Sequence, residues 1–404
     1  MIDLIGFSSI FLVSLLTFFL GLLRPSISKI LITGLLVRIL FMLLGNYLIT
    51  LPDSTADAQT FRINAWKIAQ SGFLSVLTQF NGPGPEFITW LIAIFYSLFG
   101  KSIIMAQSLS LFFGIGSIFL GWILANKIWN SNIANKVAWF IALFPSLILY
   151  SILALREIYI VFFLLVALYG LVSWFKINNI KSIIILMIGF VGATFFHGAM
   201  FVGALVFLFI ISFLIFKKFL KQIIRFKITT KVLAFLSLFL FLLVFYLSNK
   251  IHIPYLGTFE NSLDIENLIM KTQLSTRGAA EWPEWLKINT KIEIIYKSPI
   301  RSMYFVFAPF PWDISKLKHL IGMFDGLLYA YLAYLIFRNR QEIWKDPALK
   351  TVLLILIAYI FVFGFGVGNF GTGIRHRSKI VIMFILLAAP LLPKFTFFKK
   401  GKID

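Results

Sequence analysis

The chain has 404 residues, of which 60% are hydrophobic and only 13% are charged, and its mean hydropathy is +0.94. A soluble domain of this length needs far more polar side chains to cover its surface, so this class is excluded. The formal net charge of +21 does not point to nucleic acid, because the Lys and Arg residues gather between apolar runs, as in cytoplasmic loops of membrane proteins. The chain has no cysteine, which excludes disulfides and thiol catalysis.

Apolar runs long enough to cross a bilayer, roughly 17–25 residues each, recur along the chain. They are continuous stretches of Leu, Ile, Phe and Val, which excludes the alternating pattern of a β-barrel. The sequence therefore predicts an all-α polytopic membrane protein with about 11–13 membrane helices. The predicted spans are 4–23, 30–50, 103–126, 136–153, 158–175, 182–197, 199–216, 232–248, 320–337, 351–367 and 378–393.

Three shorter segments complete the prediction. A polar–apolar helix is predicted over Ala58–Ser71, and an interfacial or tilted segment over 86–99. Met303–Trp312 contains Pro309 and Pro311, which favours a re-entrant or interfacial segment. The first run, Leu4–Leu23, lacks the basic start and cleavage site of a signal peptide and is expected to be a retained helix.

The basic loops also predict orientation. Placing the Lys-rich segment 217–231 and the C-terminal tail in the cytoplasm leaves 51–85, 154–157, 197–198, 249–302 and 368–377 on the other side, provided that 86–99 does not cross. The chain is then divided into an N-terminal membrane region (1–248, which includes the outer loop 51–85), an outer soluble loop (249–302) and a C-terminal membrane region (303–404).

Asp53 and Asp57 follow the second span and stand four residues apart. If one helix includes both, they share a face, where a carboxylate can take a proton from a hydroxyl or the pair can hold a divalent cation. The structural alternative is that Asp53 ends a turn and Asp57 caps the helix.

Arg156-Glu157 lies at the joint between two apolar runs, where an arginine is a candidate phosphate ligand, and the alternative is an Arg–Glu pair at the interface. His197 stands at another such joint, where it is either a substrate contact or a structural residue. The spacing of the histidines matches no metal-binding set.

The glycine-rich segment 364–373 is followed by Arg375, His376 and Arg377 where the next membrane helix is predicted to begin. Positive charge on the outer side favours an anionic partner such as a lipid phosphate, and the alternative is a helix-packing glycine run with anchoring residues. Trp282 and Trp285 are candidates for stacking on sugar faces, although aromatic residues of this kind are more often interface anchors.

The spacing of Asp57, Phe61, Ala65 and Gly72 resembles that of the GT-C superfamily of membrane glycosyltransferases. The branch concerned includes protein mannosyltransferases and lipid A aminoarabinose transferases. The resemblance continues through Pro83–Pro85, Leu98–Gly100, Pro145-Ser146, Ser151 and Arg156-Glu157, and covers about 120 residues, 57–176. The chain departs from the family in carrying a single Asp at the acidic position and Gln107 where an arginine is frequent.

A weaker resemblance is to the EpsG/Wzy-type polymerases of extracellular polysaccharide. It rests on Arg156 at the head of an apolar run, on Phe196-His197-Gly198, and on the late arginines. Both families use polyprenyl-linked sugars, but they differ in whether one sugar or a repeat unit moves.

These resemblances imply a GT-C-like enzyme of the bacterial cytoplasmic membrane with its active site facing outside. It would transfer a sugar from a polyprenyl-phosphate donor to a glycan or lipid acceptor of the cell envelope. Asp57, helped by Asp53, would activate the acceptor hydroxyl, and Arg156, Arg375, His376 and Arg377 would bind the donor phosphate. The alternatives are a repeat-unit polymerase and a non-enzymatic flippase or transporter. The transporter predicts related halves and polar residues at mid-membrane, of which the sequence shows few, such as Arg38.

Overall fold

The computed structural model describes residues 3–80, 82–224, 269–270, 280–315 and 317–395. Within these ranges the chain is almost entirely helical and contains no strand, apart from one isolated bridge between Glu281 and Asn369. The helices are α1 Leu4–Leu23, α2 Pro25–Tyr47, α3 Ala56–Ala69, α4 Phe73–Thr78, α5 Phe87–Phe99, α6 Ile103–Ile128, α7 Ser131–Leu143, α8 Pro145–Tyr150, α9 Glu157–Ile177, α10 Ile180–Phe196, α11 Phe201–Ile224, α12 Lys291–Phe307, α13 Leu317–Arg338, α14 Arg340–Lys345, α15 Pro347–Gly366, α16 Phe370–Arg377 and α17 Val381–Ala388.

In the part of the chain that the structure describes, seven helical segments are long and apolar enough to cross a bilayer. They are Leu4–Leu23, Pro25–Tyr47, Ile103–Ile128, Glu157–Ile177, Gly198–Lys217, His319–Arg338 and Pro347–Gly366. Three shorter apolar segments, Phe87–Phe99, Ile180–Phe196 and Val381–Leu391, accompany them. The predicted class, an all-α polytopic membrane protein, is confirmed. The predicted span 232–248 lies outside the described residues.

The chain forms two compact units. Unit 1 comprises 1–197, 328–349 and 378–404, and unit 2 comprises 198–327 and 350–377. The three predicted regions of the chain stay a prediction. Of the predicted loop 249–302, the described part is 269–270 and 280–302, and residues 291–302 there belong to α12.

Unit 1 is built around α6 and α9. Of the apolar stretch of each helix that is long enough to cross a membrane, 61% in α6 and 67% in α9 is buried inside the protein. A helix that is apolar on every side is suited to such a central position. The antiparallel neighbours α9 and α10 are joined at Asn178, which has a left-handed φ of 53°, and at Asn179, which caps α10. Gly170 and Gly189 let the two backbones approach so closely that a Cβ on either would collide with the partner's backbone.

One predicted span of unit 1 is wrong in detail. Residues 136–153 do not form a single helix, because α7 ends at Leu143 and α8 begins at Pro145. Phe144 between them is extended, with φ −66° and ψ 122°, as expected for a residue before proline.

The break leaves the last carbonyls of α7 without helical partners, and the buried Arg38 satisfies two of them. Its guanidinium donates to the carbonyls of Ile141 (3.2 Å) and Ala142 (2.7 Å), and also to Ser151 Oγ (2.8 Å). The charge of Arg38, which is costly to place inside a membrane, thus satisfies backbone carbonyls at the break between α7 and α8.

Unit 2 contains α11, α12 and α16, together with the first half of α13 and most of α15. The assignment of Met303–Trp312 as a re-entrant or interfacial segment stays a prediction. Its first part is the end of α12, which Thr290 and Glu293 start with a capping box. The helix ends at Phe307, before the cis peptide bond between Ala308 and Pro309.

Candidate functional site

The two aspartates of the first predicted outer loop occupy different environments. Asp53 lies in the loop after α2 with φ 59°, and it accepts a hydrogen bond of 2.8 Å from Tyr150 Oη at the end of α8. Asp57 is an exposed residue in the first turn of α3. Because α3 begins at Ala56, Asp53 is not part of it, and the four-residue helical spacing of the pair is not realised. Thr55, not Asp57, is the N-cap residue.

Arg156 lies directly before α9 and is half-buried. Its Nη1 donates a long hydrogen bond of 3.5 Å to the carbonyl of Phe196 at the end of α10. Its Nε is buried and has no hydrogen-bond partner among the described residues. The guanidinium therefore keeps donor capacity that the described residues do not use.

His197 follows Phe196 and is buried, 3% exposed. It is the C-cap residue of α10, and its backbone N–H donates to the carbonyl of Ala193. The contact between Arg156 and Phe196 brings the start of α9 to the end of α10, so the predicted candidates Arg156 and His197 lie at the same end of unit 1.

Glu157 does not pair with Arg156 as the interface alternative assumed. It is fully buried at the N-terminus of α9, where the helix dipole favours a carboxylate, and Lys379 Nζ lies 3.8 Å from its Oε1. Both side chains are 0% exposed. Lys379 was absent from the sequence-based candidates, because its partner is more than 200 positions away.

The cationic residues after the glycine-rich segment are placed differently from the prediction. They form the last turn of the short helix α16 rather than the start of the next membrane helix, and α17 begins only at Val381. Arg375 and His376 are half-buried, whereas Arg377 is 1% exposed.

Arg377 is an internal anchor of unit 2. Its Nε donates to Asp325 Oδ2 over 2.7 Å, and its Nη2 donates to the carbonyl of Gly322 over 3.0 Å. Its Nη1 donates to the carbonyls of Val306 (3.0 Å) and Ala308 (2.7 Å), which lie at the end of α12. All three nitrogens already donate inside the protein, so the geometry does not favour Arg377 as a phosphate ligand.

The two candidate tryptophans of unit 2 also differ. Trp282 is 4% exposed, and the buried Arg301 guanidinium lies 5.1 Å from the centre of its ring, which leaves little of Trp282 for a sugar. Trp285 is 53% exposed and packs edge-on against Tyr304 at 5.7 Å, so its geometry is compatible with a surface contact.

Arg301 itself was not predicted from the sequence. It donates to the carbonyls of Gly364 (3.3 Å), Phe365 (3.0 Å) and Val367 at the end of α15, and to that of Leu286 (2.8 Å). Burial lowers the pKa of Arg301 to about 10. The glycine-rich segment is fixed by this arginine and by the bridge between Glu281 and Asn369.

The structure thus groups part of the predicted site in unit 1, namely Asp53 with Tyr150, and Arg156 with the segment that carries His197. Tyr150 was missed as a site residue, although it stands in the Pro145–Ser151 segment that the sequence singled out. Among the described residues no three His, Cys, Asp or Glu side chains cluster as a metal site would require, so the divalent cation stays a prediction that involves Asp53 and Asp57 alone. No protein-family model matches the chain, and no curated protein or solved structure is significantly similar to it.

Proposed function

We propose that the protein is a membrane glycosyltransferase that moves a sugar from a polyprenyl-phosphate donor to a glycan or lipid acceptor on the non-cytoplasmic face. The observation that carries the proposal is the environment of Arg156: its guanidinium has a buried donor that no described residue accepts, and it lies between the start of α9 and the end of α10 at one end of unit 1. Such a group fits the phosphate of a lipid carrier, whose hydrocarbon chain stays in the bilayer.

In the proposed reaction, the acceptor hydroxyl oxygen attacks the anomeric carbon of the donor sugar. The bond between that carbon and the phosphate oxygen breaks, and the proton of the hydroxyl passes to the Asp57 carboxylate, which is exposed and thus open to an acceptor. Polyprenyl phosphate leaves as an anion, and Arg156 stabilises its charge. Asp53, which Tyr150 Oη holds by a hydrogen bond, helps to orient the acceptor.

Arg375 and His376 belong to unit 2, and their predicted role as donor-phosphate ligands stays a prediction that is separate from the site in unit 1. Arg377 is given a structural role instead, since its donors are already used. The surrounding bilayer lipid provides the path by which the donor arrives.

A repeat-unit polymerase of the EpsG/Wzy type is the second candidate. It is favoured by the contact of Arg156 with Phe196, because that contact joins the two segments on which this resemblance rests. The acceptor and the number of sugars moved separate the two candidates, whereas the use of a polyprenyl-linked donor is common to both.

The test is Asp57→Asn, assayed for transfer of labelled sugar from a lipid-linked donor in membranes. We expect the rate to fall by roughly 100-fold or more, because general-base catalysis typically contributes 10²–10⁴-fold. Glu342→Gln is the matched control, since this exposed carboxylate pairs with Lys345 and lies outside the site. Full activity of Asp57→Asn would remove the acid/base role. A deletion strain with shortened glycan would favour the polymerase, and one that lacks a single side sugar would favour the transferase.

A further inference from the structure

A groove of about 480 Å³ lies in unit 1 between α3 and the segment that leads into α5. This volume is within the range of small-molecule sites, roughly 300–1,000 Å³. The segment is fixed at Gly84, whose backbone N–H donates to the carbonyl of Phe195 over 3.0 Å. The groove therefore adjoins the end of α10 that also receives Arg156. Its lining includes the polar and aromatic residues Asn64, Lys67, Gln79, Phe80, Glu86 and Trp90.

One wall of the groove is aromatic and rigid. Phe80 lies 5.0 Å and Phe87 5.8 Å from Trp90, measured between ring centres. The indole N–H of Trp90 donates to the carbonyl of Val76 over 2.8 Å, which fixes the orientation of the ring. Such a platform presents an electron-rich face to the weakly positive C–H groups of a sugar ring.

The polar side chains that line the groove offer both donors and acceptors. Glu86 uses one carboxylate oxygen to accept from Thr89 Oγ1 over 3.0 Å. Gln79 uses its amide nitrogen on Ser71 and Ser75, both at 3.0 Å, so that its carbonyl oxygen is left as an acceptor. The Asn64 amide and the Lys67 ammonium lie on one side of α3 and line the same groove. Hydroxyl groups donate and accept at once, and this mixed set matches them.

The charge of the groove argues against a strongly anionic ligand. One ammonium, that of Lys67, is balanced by one carboxylate, that of Glu86. A phosphate or an acidic peptide would meet Glu86 without a surplus of positive charge, whereas a neutral saccharide satisfies both groups.

We infer that this groove is a saccharide-binding subsite, in which a sugar ring packs on Trp90 and Phe80 and its hydroxyls bond to Asn64, Lys67, Gln79 and Glu86. Asp57 precedes Asn64 by seven residues and so lies on the same face of α3, two turns and about 10 Å away. A saccharide in the groove extends along α3 toward Asp57. The identification of this saccharide as the acceptor rests on the proposed function, whereas the binding of a saccharide in the groove does not.

The experiment is saturation-transfer NMR on the full-length protein in lipid nanodiscs, with N,N′-diacetylchitobiose, lactose and mannobiose as probes. We expect at least one probe to receive saturation. The apparent affinity of that probe should fall by about tenfold in Trp90→Leu and in Lys67→Met. Trp90→Phe retains a ring for stacking and should bind more tightly than Trp90→Leu. The matched controls Trp344→Leu and Lys101→Met alter exposed residues outside the groove and should bind like wild type.

The inference is overturned if none of the three probes receives saturation from the wild-type protein, or if Trp90→Leu and Lys67→Met bind like wild type. Lys67 is exposed, so Lys67→Met is expected to fold even if Trp90→Leu does not. Binding is also measured in Asp57→Asn. If Asp57→Asn binds the probe but transfers no sugar, the saccharide site is supported independently of the result for the enzyme activity. If the wild-type protein binds the probe but shows no transfer at all, the proposed function fails while this inference stands.

Discussion

Two kinds of arginine can be contrasted among the buried and half-buried residues that the structure describes, and they differ in how many of their donors are used inside the protein. In unit 2, Arg377 and Arg301 are buried and donate from all of their nitrogens, mostly to carbonyls at the ends of interrupted helices. Arg38 does the same for α7 in unit 1. In contrast, Arg156 makes one long hydrogen bond and keeps a buried Nε without a partner among the described residues.

A charge in an apolar segment is therefore not by itself a sign of a binding site. A helix that ends inside a membrane protein leaves carbonyls that water cannot reach, and a guanidinium with five N–H donors satisfies several of them at once. Only an arginine that the fold has not already used in this way has donors to give to a ligand. By this criterion Arg156 is a ligand-binding candidate, whereas Arg38, Arg301 and Arg377 are structural.

The largest expected effect is that of Arg377→Met. It leaves Asp325 as a buried carboxylate without its cation, and it removes the donors to Val306, Ala308 and Gly322. We expect a loss of roughly 3–5 kcal/mol in the free energy of unfolding, measured by thermal or denaturant unfolding in detergent micelles.

Arg377→Lys should recover only a part of this loss, because an ammonium cannot reach the same set of acceptors with a planar fork. Arg340→Met is the control, since Arg340 is exposed at the start of α14. If Arg377→Met unfolds at the same denaturant concentration as wild type, the structural role of Arg377 is wrong.

Arg301→Met comes next. It leaves the carbonyls of Leu286, Gly364, Phe365 and Val367 without this donor, but no buried carboxylate. We expect a loss of roughly 2–3 kcal/mol, in line with the cost of leaving buried acceptors unsatisfied. The same unfolding measurement applies, and protease digestion of unit 2 should become faster. An unchanged digestion rate and midpoint would contradict the assignment.

Tyr150→Phe should have a smaller effect on stability. The ring stays packed, and the hydrogen bond to the exposed Asp53 is lost. We expect about 1 kcal/mol or less, because water can replace the hydroxyl at an exposed carboxylate. In the transfer assay the KM for the acceptor should rise while the KM for the lipid-linked donor stays constant. A change in the donor KM alone would show that Asp53 does not act on the acceptor side.

Arg156→Met should have the smallest effect on stability of the set. Its only hydrogen bond among the described residues is 3.5 Å long, so we expect a change within about 0.5 kcal/mol, as for substitutions that break no defined interaction. A loss comparable to that of Arg377→Met would mean that the two arginines do not differ in kind, and the criterion drawn from the comparison would fail.

Much of the helical framework could be predicted from the sequence, since α1, α3, α6 and α9 begin and end near the expected residues. The bounds of these helices are marked by neighbouring residues, such as the ends of a long apolar run or the turn near Asp53, and such local features can be recognised in the sequence. The break between α7 and α8 was also readable from Pro145, but the length of the apolar run hid it.

The partners of the charged residues could not be predicted. Asp325 and Arg377 are 52 positions apart, and nothing in either segment marks the other. The same holds for Glu157 and Lys379, and for Arg38 and the carbonyls of α7. Whether an arginine is used by the fold depends on these distant contacts. The sequence therefore selected Arg156 and Arg377 alike, and only the three-dimensional arrangement separates them.

The most direct test of this account is the affinity of the purified protein in nanodiscs for a polyprenyl phosphate, compared between wild type and Arg156→Met. We predict that Arg156→Met binds at least about tenfold more weakly while its unfolding midpoint is unchanged, because a charge-assisted bond to phosphate is lost and only a hydrogen bond of 3.5 Å is broken among the described residues. Equal affinity of the two proteins for the polyprenyl phosphate would contradict the central claim that Arg156 holds the donor.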